Sequence, residues 1–487
     1  MKFINIKSTR INLLKIALIT IPLVASVSSC KKDFLEAVPE LSLSDANAFD
    51  TPERVVAQIN GLYSSTKSGS FLGGRYQIYN DIRAEEFLNR TSNNVTGYNV
   101  FQGTQNASDT YIGNMWIQGY LTINRINLFL EGLEANSSKM SPELLANYKG
   151  EAKFLRGLAY FSLVQIFAKP YSLDAGASPG LPLRLKSETS TANNGMPRST
   201  VAQVYTQILK DLNESETELP ATYANALLRT TRAHKNSAIA LKTRVNLVKG
   251  DYAAVITEAN KIVSAAAPFT TPVAANAQHA LQANVTNVFR TPYTTSESIL
   301  SFPMADTNAP GTQNQIGYYF NVGNIEFYLN PATPGILSNP QFSSTDARRT
   351  SLTTLYAPLS MNVSTKFSGV SPYIDYVPVI RYAEVLLNLA EAEAMVGSQV
   401  RAAALLNAVH SRSDAAFSFG ALTQPSLVAA ILTERRIELL AEGFRANDLL
   451  RRGLPIPAVG AGANIAVSDP RYVFEIPLSE TNSNPDI

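Results

Sequence analysis

A mainly α-helical architecture with long irregular insertions is what this chain encodes, and three features point to it. Apolar residues recur at three- and four-residue spacing in several long blocks. Two of those blocks fold back at a glycine with small residues at the crossing. Between about residues 264 and 377 the period fades, and Asn, Thr, Pro, Gly and Tyr dominate. Of the 487 residues 45% are apolar and 16% charged, enough for a large core and incompatible with a disordered or collagen-like chain.

Taken in order, Thr51-Pro52-Glu53 supplies a cap, a first-turn proline and a first-turn acid, and Val55, Ile59 and Leu62 share a face, which predicts a helix from Pro52 to about Ser65. Ile112, Trp116, Tyr120, Ile123, Ile126, Leu130 and Leu133 predict a long amphipathic helix up to Glu134. Ser141-Pro142-Glu143 opens another, with a stripe from Tyr148 to Ile166 that stops at Lys169-Pro170. Residues 172–198 form a long connection closed by the capping box Thr200-Val201-Ala202-Gln203, after which Val204, Ile208 and Leu212 resume the helical period. Ala238, Leu241, Val245 and Val248 run to Gly250-Asp251, and Tyr252, Val255, Ala259 and Ile262 follow at once, an antiparallel hairpin. The same pattern returns as Ala383, Leu387, Ala390 and Ala394, then Gly397, then Val400, Ala403 and Leu406. Such pairs resemble tetratricopeptide units, but they lack a tandem period, so they sit inside a larger domain rather than a free solenoid. The insertion is expected to hold long loops and a few short strands. A final helix begins near Ser426, and no regular element is expected beyond Arg452-Gly453. The expected organisation is a leader at 1–29 and one domain at 30–487, with helical scaffold at 50–263 and 374–453 and the insertion at about 264–377.

Charge and cysteine usage narrow the function. Cys30 is the single cysteine and His234, His279 and His410 the only histidines, so a disulfide framework is excluded and a Cys/His zinc site has too few ligands. No metal or cofactor is expected. Lys2, Lys7, Arg10 and Lys15 carry all the charge of residues 1–29, so the chain from Cys30 onward has a net charge of −2, which does not favour nucleic acid as a partner. Those basic residues, the uncharged run Ile16–Val27 and the small residues Ser28 and Ser29 form an export signal. Twelve helical residues rise about 18 Å, short of a hydrocarbon core of about 30 Å, so the run is not a spanning helix. Val27-Ser28-Ser29-Cys30 resembles a bacterial lipobox, in which Cys30 becomes the lipidated first residue; the alternative is an ordinary signal peptide with an incidental cysteine.

Blocks distributed along the whole chain resemble the SusD/RagB family of Bacteroidetes outer-membrane lipoproteins. They are Ser29-Cys30-Lys31-Lys32-Asp33-Phe34-Leu35-Glu36 with Pro39, Trp116 to Asn127, Glu151 to Phe161, Gly180-Leu181-Pro182-Leu183, Arg381 to Ala392, Glu434-Arg435-Arg436-Ile437-Glu438-Leu439 with Glu442-Gly443, Arg445, Asp448-Leu449 and Arg452-Gly453, and the tail Ile476-Pro477, Glu480 and Asn484-Pro485. The resemblance implies a helix-rich SusD-like fold with tetratricopeptide-like hairpins. It also implies display on the cell surface as a lid over a TonB-dependent transporter of the SusC class, and capture of oligosaccharides, or in some members peptides, without catalysis.

The residues themselves support binding over chemistry. Glu384, Glu391, Glu393, Glu434, Glu438, Glu442 and Asp448, with Arg435 and Arg445, could be imagined as catalytic carboxylates and positioning arginines, but their helical spacing reads as scaffold, with opposite charges pairing along a face and arginines buried between helices tying carboxylates bidentately. Asp81, Glu85 and Glu86 form the one acidic cluster next to a loop. Sugar recognition needs flat apolar faces beside planar hydrogen-bonding groups. Gly73 to Arg83, Asn94 to Phe101 and Tyr318 to Asn324 carry that mixture, which makes Tyr76, Tyr79, Asp81, Arg83, Tyr98, Tyr318 and Tyr319 the candidate ligand-binding residues; the alternative for each is core or loop packing. A surface glycoside hydrolase and a tetratricopeptide-type adaptor for a partner peptide remain as other classes.

Overall fold

The computed structural model describes residues 47–487 apart from 191, 193 and 460–462. The leader and Cys30 lie outside the described residues. Helix α1 (Pro52–Thr66) begins where its cap dictates, with Thr51 Oγ1 accepting the Arg54 N–H at 3.4 Å. Helix α2 (Arg75–Ile82) follows, and all eight of its residues are buried, although its Arg, Gln, Asn and Asp interrupt any apolar period in the sequence. Asp109 caps α3 (Thr110–Ala135) by accepting from the Tyr111 and Ile112 N–H groups, Ser141 caps α4 (Pro142–Phe167), and the reciprocal Thr200–Gln203 box opens α5 (Val201–Glu218). Helices α6 (Lys235–Lys249) and α7 (Tyr252–Ala259) form the first hairpin, and α8 (Tyr382–Val396) and α9 (Gln399–Ser411) the second. Helices α10 (Gln424–Glu438) and α11 (Arg445–Arg451) complete the scaffold.

These helices pack in one continuous layer: α1 on α3, α3 on α4, α4 on α5, α5 on α6, both members of the first hairpin on α8, and α8 on α9 and α10. The two hairpins are therefore neighbours in space although the whole insertion separates them in sequence. A single apolar core runs through them from Val55 to Phe474. Six short strands accompany the scaffold: β1 (Phe87–Asn89), β2 (Ser298–Phe302), β3 (Phe327–Leu329), β4 (Thr353–Tyr356), β5 (Met361–Ser364) and β6 (Val377–Arg381). Antiparallel pairing in the order β1-β3-β5-β4 ties the segment after α2 to the insertion, with Phe87 opposite Leu329. Strand β2 pairs with β6, which leads straight into α8. Among the described residues no helix is long and apolar enough to cross a membrane.

Two expectations need correction. The tail does contain regular structure: Leu478–Ser483 forms a short helix, and Glu480 accepts the Trp116 Nε1–H at 3.0 Å, holding the tail on α3. Six residues are too few to display a period. Of the two pairings expected for the scaffold charges, the one along a helix face is the minor one, and arginines buried between elements make most of the pairs. Arg156 on α4 grips Asp211 on α5 at 2.9 and 2.7 Å, Arg244 on α6 grips Glu384 on α8 at 2.5 Å twice, and Arg451 on α11 grips Glu391 on α8 at 2.7 and 2.6 Å. The Arg451–Asp448 pair at 2.7 Å is an exception that does lie along a helix. Most densely, Arg381, Arg348 and Arg412 all donate to Glu438, at 2.9, 2.9 and 2.7 Å, and share Glu297, Glu434 and Glu442 between them, with Lys366 on Glu442 at 2.8 Å. Burial alone would raise the Glu438 carboxyl, but the three guanidinium groups hold it well below the usual carboxylate range. The seven acids that could have suggested catalysis each hold at least one arginine.

Candidate functional site

Aromatic rings from three parts of the chain meet at one place on the insertion. Tyr98 lies parallel to Phe101 at 6.2 Å between centroids, Phe101 tilts onto Phe327 at 5.7 Å, Phe327 is parallel to Tyr319 at 6.1 Å, Tyr319 meets Tyr318 edge-on at 6.1 Å, and Tyr318 meets Tyr373 edge-on at 5.7 Å. Phe327 and Tyr319 are buried and form the floor; Tyr98, Phe101, Tyr318 and Tyr373 are half-buried and present faces to solvent. Strand β3 fixes Phe327 by its pairing with β1, and the helical turn Ile316–Phe320 carries Tyr318 and Tyr319. The 366–373 loop can close on that turn because residue 317 is glycine: a Cβ there would collide with the Ser368 carbonyl oxygen.

A second aromatic pair adjoins the first through the same loop. Tyr293 and Tyr376 stack at 4.7 Å with 15° between their planes. Tyr293 Oη donates to Asp375 Oδ1 at 3.0 Å, and Asp375 Oδ2 accepts the Ser368 N–H at 2.9 Å. Arg290 staples the two loops by donating to the Lys366 and Thr365 carbonyls at 2.9 Å each. Desolvation and the neighbouring Asp375 push the Tyr293 phenol up to about 12, so it stays a donor. Tyr293 and Tyr373 both have left-handed backbone, φ +62° and +58°. Bulky residues rarely adopt that region, and it persists only where the surroundings impose it, commonly at binding sites. The result is a patch of tyrosine faces rimmed by a carboxylate and by the exposed or half-exposed Val322, Gly323 and Asn324. Such a surface can stack on CH-rich rings and hydrogen-bond hydroxyls around them.

The candidate residues read from the sequence fall into two groups. Tyr98, Tyr318 and Tyr319 are brought together in the aromatic run. Tyr76, Tyr79, Asp81 and Arg83 lie on and just after the buried helix α2, as the core-packing alternative had it. Tyr79 Oη accepts from Arg75 Nη1 at 2.7 Å, and Tyr76 Oη accepts from Gln165 at 3.0 Å and Asn447 at 3.2 Å. Tyr76 lines an internal cavity with only about 40 Å³ of room for water centres, enough for a few waters and too little for a sugar ring. Asp81 accepts the Gly443 N–H at 2.8 Å and the Arg445 N–H at 3.4 Å, fixing the corner between α10 and α11. Desolvation outweighs these bonds and raises its carboxyl to about 7. Arg83 donates to the Tyr472 carbonyl at 2.9 Å and lies 4.7 Å over the Phe474 ring. Glu85 and Glu86 pair with Arg445 and Arg436. Each of the four candidates on and after α2 thus has a polar atom engaged inside the fold, while Arg83 Nε and Nη1 have no hydrogen-bond partner among the described residues.

Sequence reasoning does not single out Tyr293, Tyr373, Tyr376 and Asp375. A signal exists in Ser371-Pro372-Tyr373-Ile374-Asp375-Tyr376, the same mixture of tyrosine and acid as in the three candidate stretches.

Comparison with known proteins bears on this geometry. Residues 33–247 match the profile of a family described as "Starch-binding associating with outer membrane", and residues 330–458 match that of the "SusD family". A crystal structure of a SusD superfamily protein from Bacteroides fragilis superposes with a TM-score of 0.82 at 33% identity, covering 90% of this chain and 99% of that one. The chain belongs to the SusD/RagB family. A second SusD superfamily structure, from Bacteroides thetaiotaomicron, gives a TM-score of 0.76 at 25% identity over 89% of this chain and 98% of its own. A laminarin-binding SusD-like protein shares the fold, TM-score 0.69 at 22% identity, over 89% and 98%. SusD-like protein P38 of Formosa agariphila is 24% identical over 94% of this chain and 93% of its own. The helix-rich SusD-like fold is therefore established, and with it membership of a carbohydrate-binding family associated with the outer membrane.

Proposed function

We propose that this SusD-family protein is a surface lipoprotein, anchored through Cys30, that holds an oligosaccharide on the tyrosine patch and hands it to a TonB-dependent transporter without cleaving it. The observation that carries the reading is the pair of tyrosines, Tyr293 and Tyr373, kept in left-handed backbone beside Tyr376 and Tyr318. Tyr318 and Tyr373 offer the stacking faces, with Tyr98 farther along the same run; Tyr319 supports Tyr318 from behind. Asp375 takes hydrogen bonds from ligand hydroxyls. Ion pairing of the scaffold carboxylates fits a protein that binds rather than hydrolyses.

Titration calorimetry with starch- and laminarin-derived oligosaccharides tests the site, alongside a glycan and peptide array. Each of Tyr318→Ala and Tyr373→Ala is expected to weaken binding about five-fold, since one stacking face contributes on the order of 1 kcal/mol. Unchanged affinity in both variants would remove the patch as the site. Fragments appearing after long incubation would replace the binding reading with the hydrolase.

A further inference from the structure

At the end of α9, Asp346, His410 and Asp414 each direct a ligand atom into one space, and those atoms lie within 4.8 Å of one another. All three are buried; His410 is 1% exposed, with the Phe417 and Phe419 rings 4.7 and 4.9 Å from its own. His410 Nδ1 stands 2.7 Å from Glu434 Oε2, which also accepts from Gln341 at 3.1 Å. An ionised carboxylate only accepts, so Nδ1 carries a proton, and in the neutral imidazole Nε2 is the position free to ligate. Among the described residues that Nε2 has no hydrogen-bond partner. A buried nitrogen without a partner, on an imidazole whose ligand atoms converge with two carboxylates, is one that a bound cation would satisfy.

Charge points the same way. Asp346, Asp414, Glu297, Glu434, Glu438 and Glu442 are six buried carboxylates, and the cations paired within this network are Arg348, Arg381, Arg412 and Lys366. With His410 neutral, as a metal ligand must be, two negative charges remain for a bound cation to offset.

We propose that Asp346, His410 and Asp414 bind one divalent first-row cation of the Zn²⁺ type. A mixed imidazole and carboxylate donor set suits Zn²⁺ better than Ca²⁺ or Mg²⁺, which take oxygen donors. Ligand atoms about 2.1 Å from a tetrahedral ion stand about 3.4 Å apart, so the three need only draw in slightly. Asp414 is the member able to move, since its neighbours Ala415 and Ala416 are exposed, and the same loop gives the ion a way in. Asp346 also accepts from the Arg348 backbone N–H, Nε–H and Nη2–H at 2.6 to 3.2 Å, so it would serve the metal by sharing one of those contacts with it. Glu434 orients His410 from behind, and Ser343 and Thr345 donate to Asp414, as second-layer groups around metals do. The shortage of Cys and His ligands noted from the sequence does not bear on this site, because carboxylates supply two of its three donors.

The test is full-length protein in detergent, stripped with a chelator and titrated with ZnCl₂. One saturable equivalent is expected, with a melting temperature that rises as the ion is added, and Co²⁺ in its place gives the visible absorption of a nitrogen- and oxygen-ligated ion. Asp414→Asn and His410→Gln are each expected to weaken binding at least ten-fold. Should His410→Gln fail to fold, the near-surface Asp414→Asn decides. No saturable binding by the wild type, or wild-type affinity in folded Asp414→Asn, overturns the proposal.

Discussion

Replacing Glu438 by Gln keeps shape and removes one charge from the point where three arginines converge. Each guanidinium lies 2.7 to 2.9 Å from the carboxylate, and at a charge separation of about 4 Å such a pair is worth about 4 kcal/mol in a medium of effective dielectric 20, so the gross attraction is on the order of 12 kcal/mol. Desolvation of the ions and repulsion from Glu434, Glu442 and Glu297 cancel most of that. Removing one partner from a buried pair elsewhere destabilises by about 3–5 kcal/mol, and the new side chain would moreover turn an amide N–H₂ toward a guanidinium. The expectation for Glu438→Gln is a loss of about 3–5 kcal/mol, a large share of a typical stability of about 5–15 kcal/mol. Urea unfolding followed by circular dichroism at pH 7 measures it. The wild type itself should lose part of this stabilisation as pH falls below the usual carboxylate range, because Glu438, Glu434 and Glu442 are all held low in the folded state and must take up protons as it unfolds. A variant within about 1 kcal/mol of wild type at pH 7 would show that the network contributes little.

Other outcomes follow from single positions. Gly443→Ala should destabilise by about 2 kcal/mol or more in the same unfolding assay, since φ is +84° and the new Cβ would stand 2.5 Å from Gln77 Cα. Asp81 keeps its proton in the folded chain up to about pH 7 but loses it near 4 when unfolded, so its contribution to stability falls as pH rises through that window; in Asp81→Asn that slope should be absent, and an unchanged slope from pH 4 to 7 would count against the burial argument. Cys30→Ser should abolish palmitate labelling and release the protein from the membrane fraction, an outcome that persistent labelling would contradict.

Helix starts are legible because their signals are local. Thr51, Ser141 and Thr200 cap the residues immediately after them, and apolar residues recur at helical spacing along α3, α4 and the two hairpins, even in α8, which is buried on every side from Tyr382 to Ala394. The helix-rich class and the family resemblance rest on such blocks, and both stand. Helix α2 escapes sequence reading because it is short and mostly polar: its Arg, Gln, Asn and Asp interrupt any apolar period, and beside two tyrosines they look like ligand-binding groups although all eight residues are buried. Of the tyrosine patch, Tyr98, Tyr318 and Tyr319 are marked by their company of Asn and Gly, while Tyr293, Tyr373 and Tyr376 belong to it only because distant loops are stapled together by Arg290 and Asp375.

The chain's own order of residues is enough to establish caps, periods and hairpins, each of which depends on neighbours a few positions away. Which arginine meets which carboxylate, which tyrosines share a surface, and whether a polar side chain faces water or the interior all depend on contacts between segments tens to hundreds of residues apart. Those contacts come into being only when the layer of helices closes around its core, since burial and pairing are properties of the packed body and are not written into any one segment.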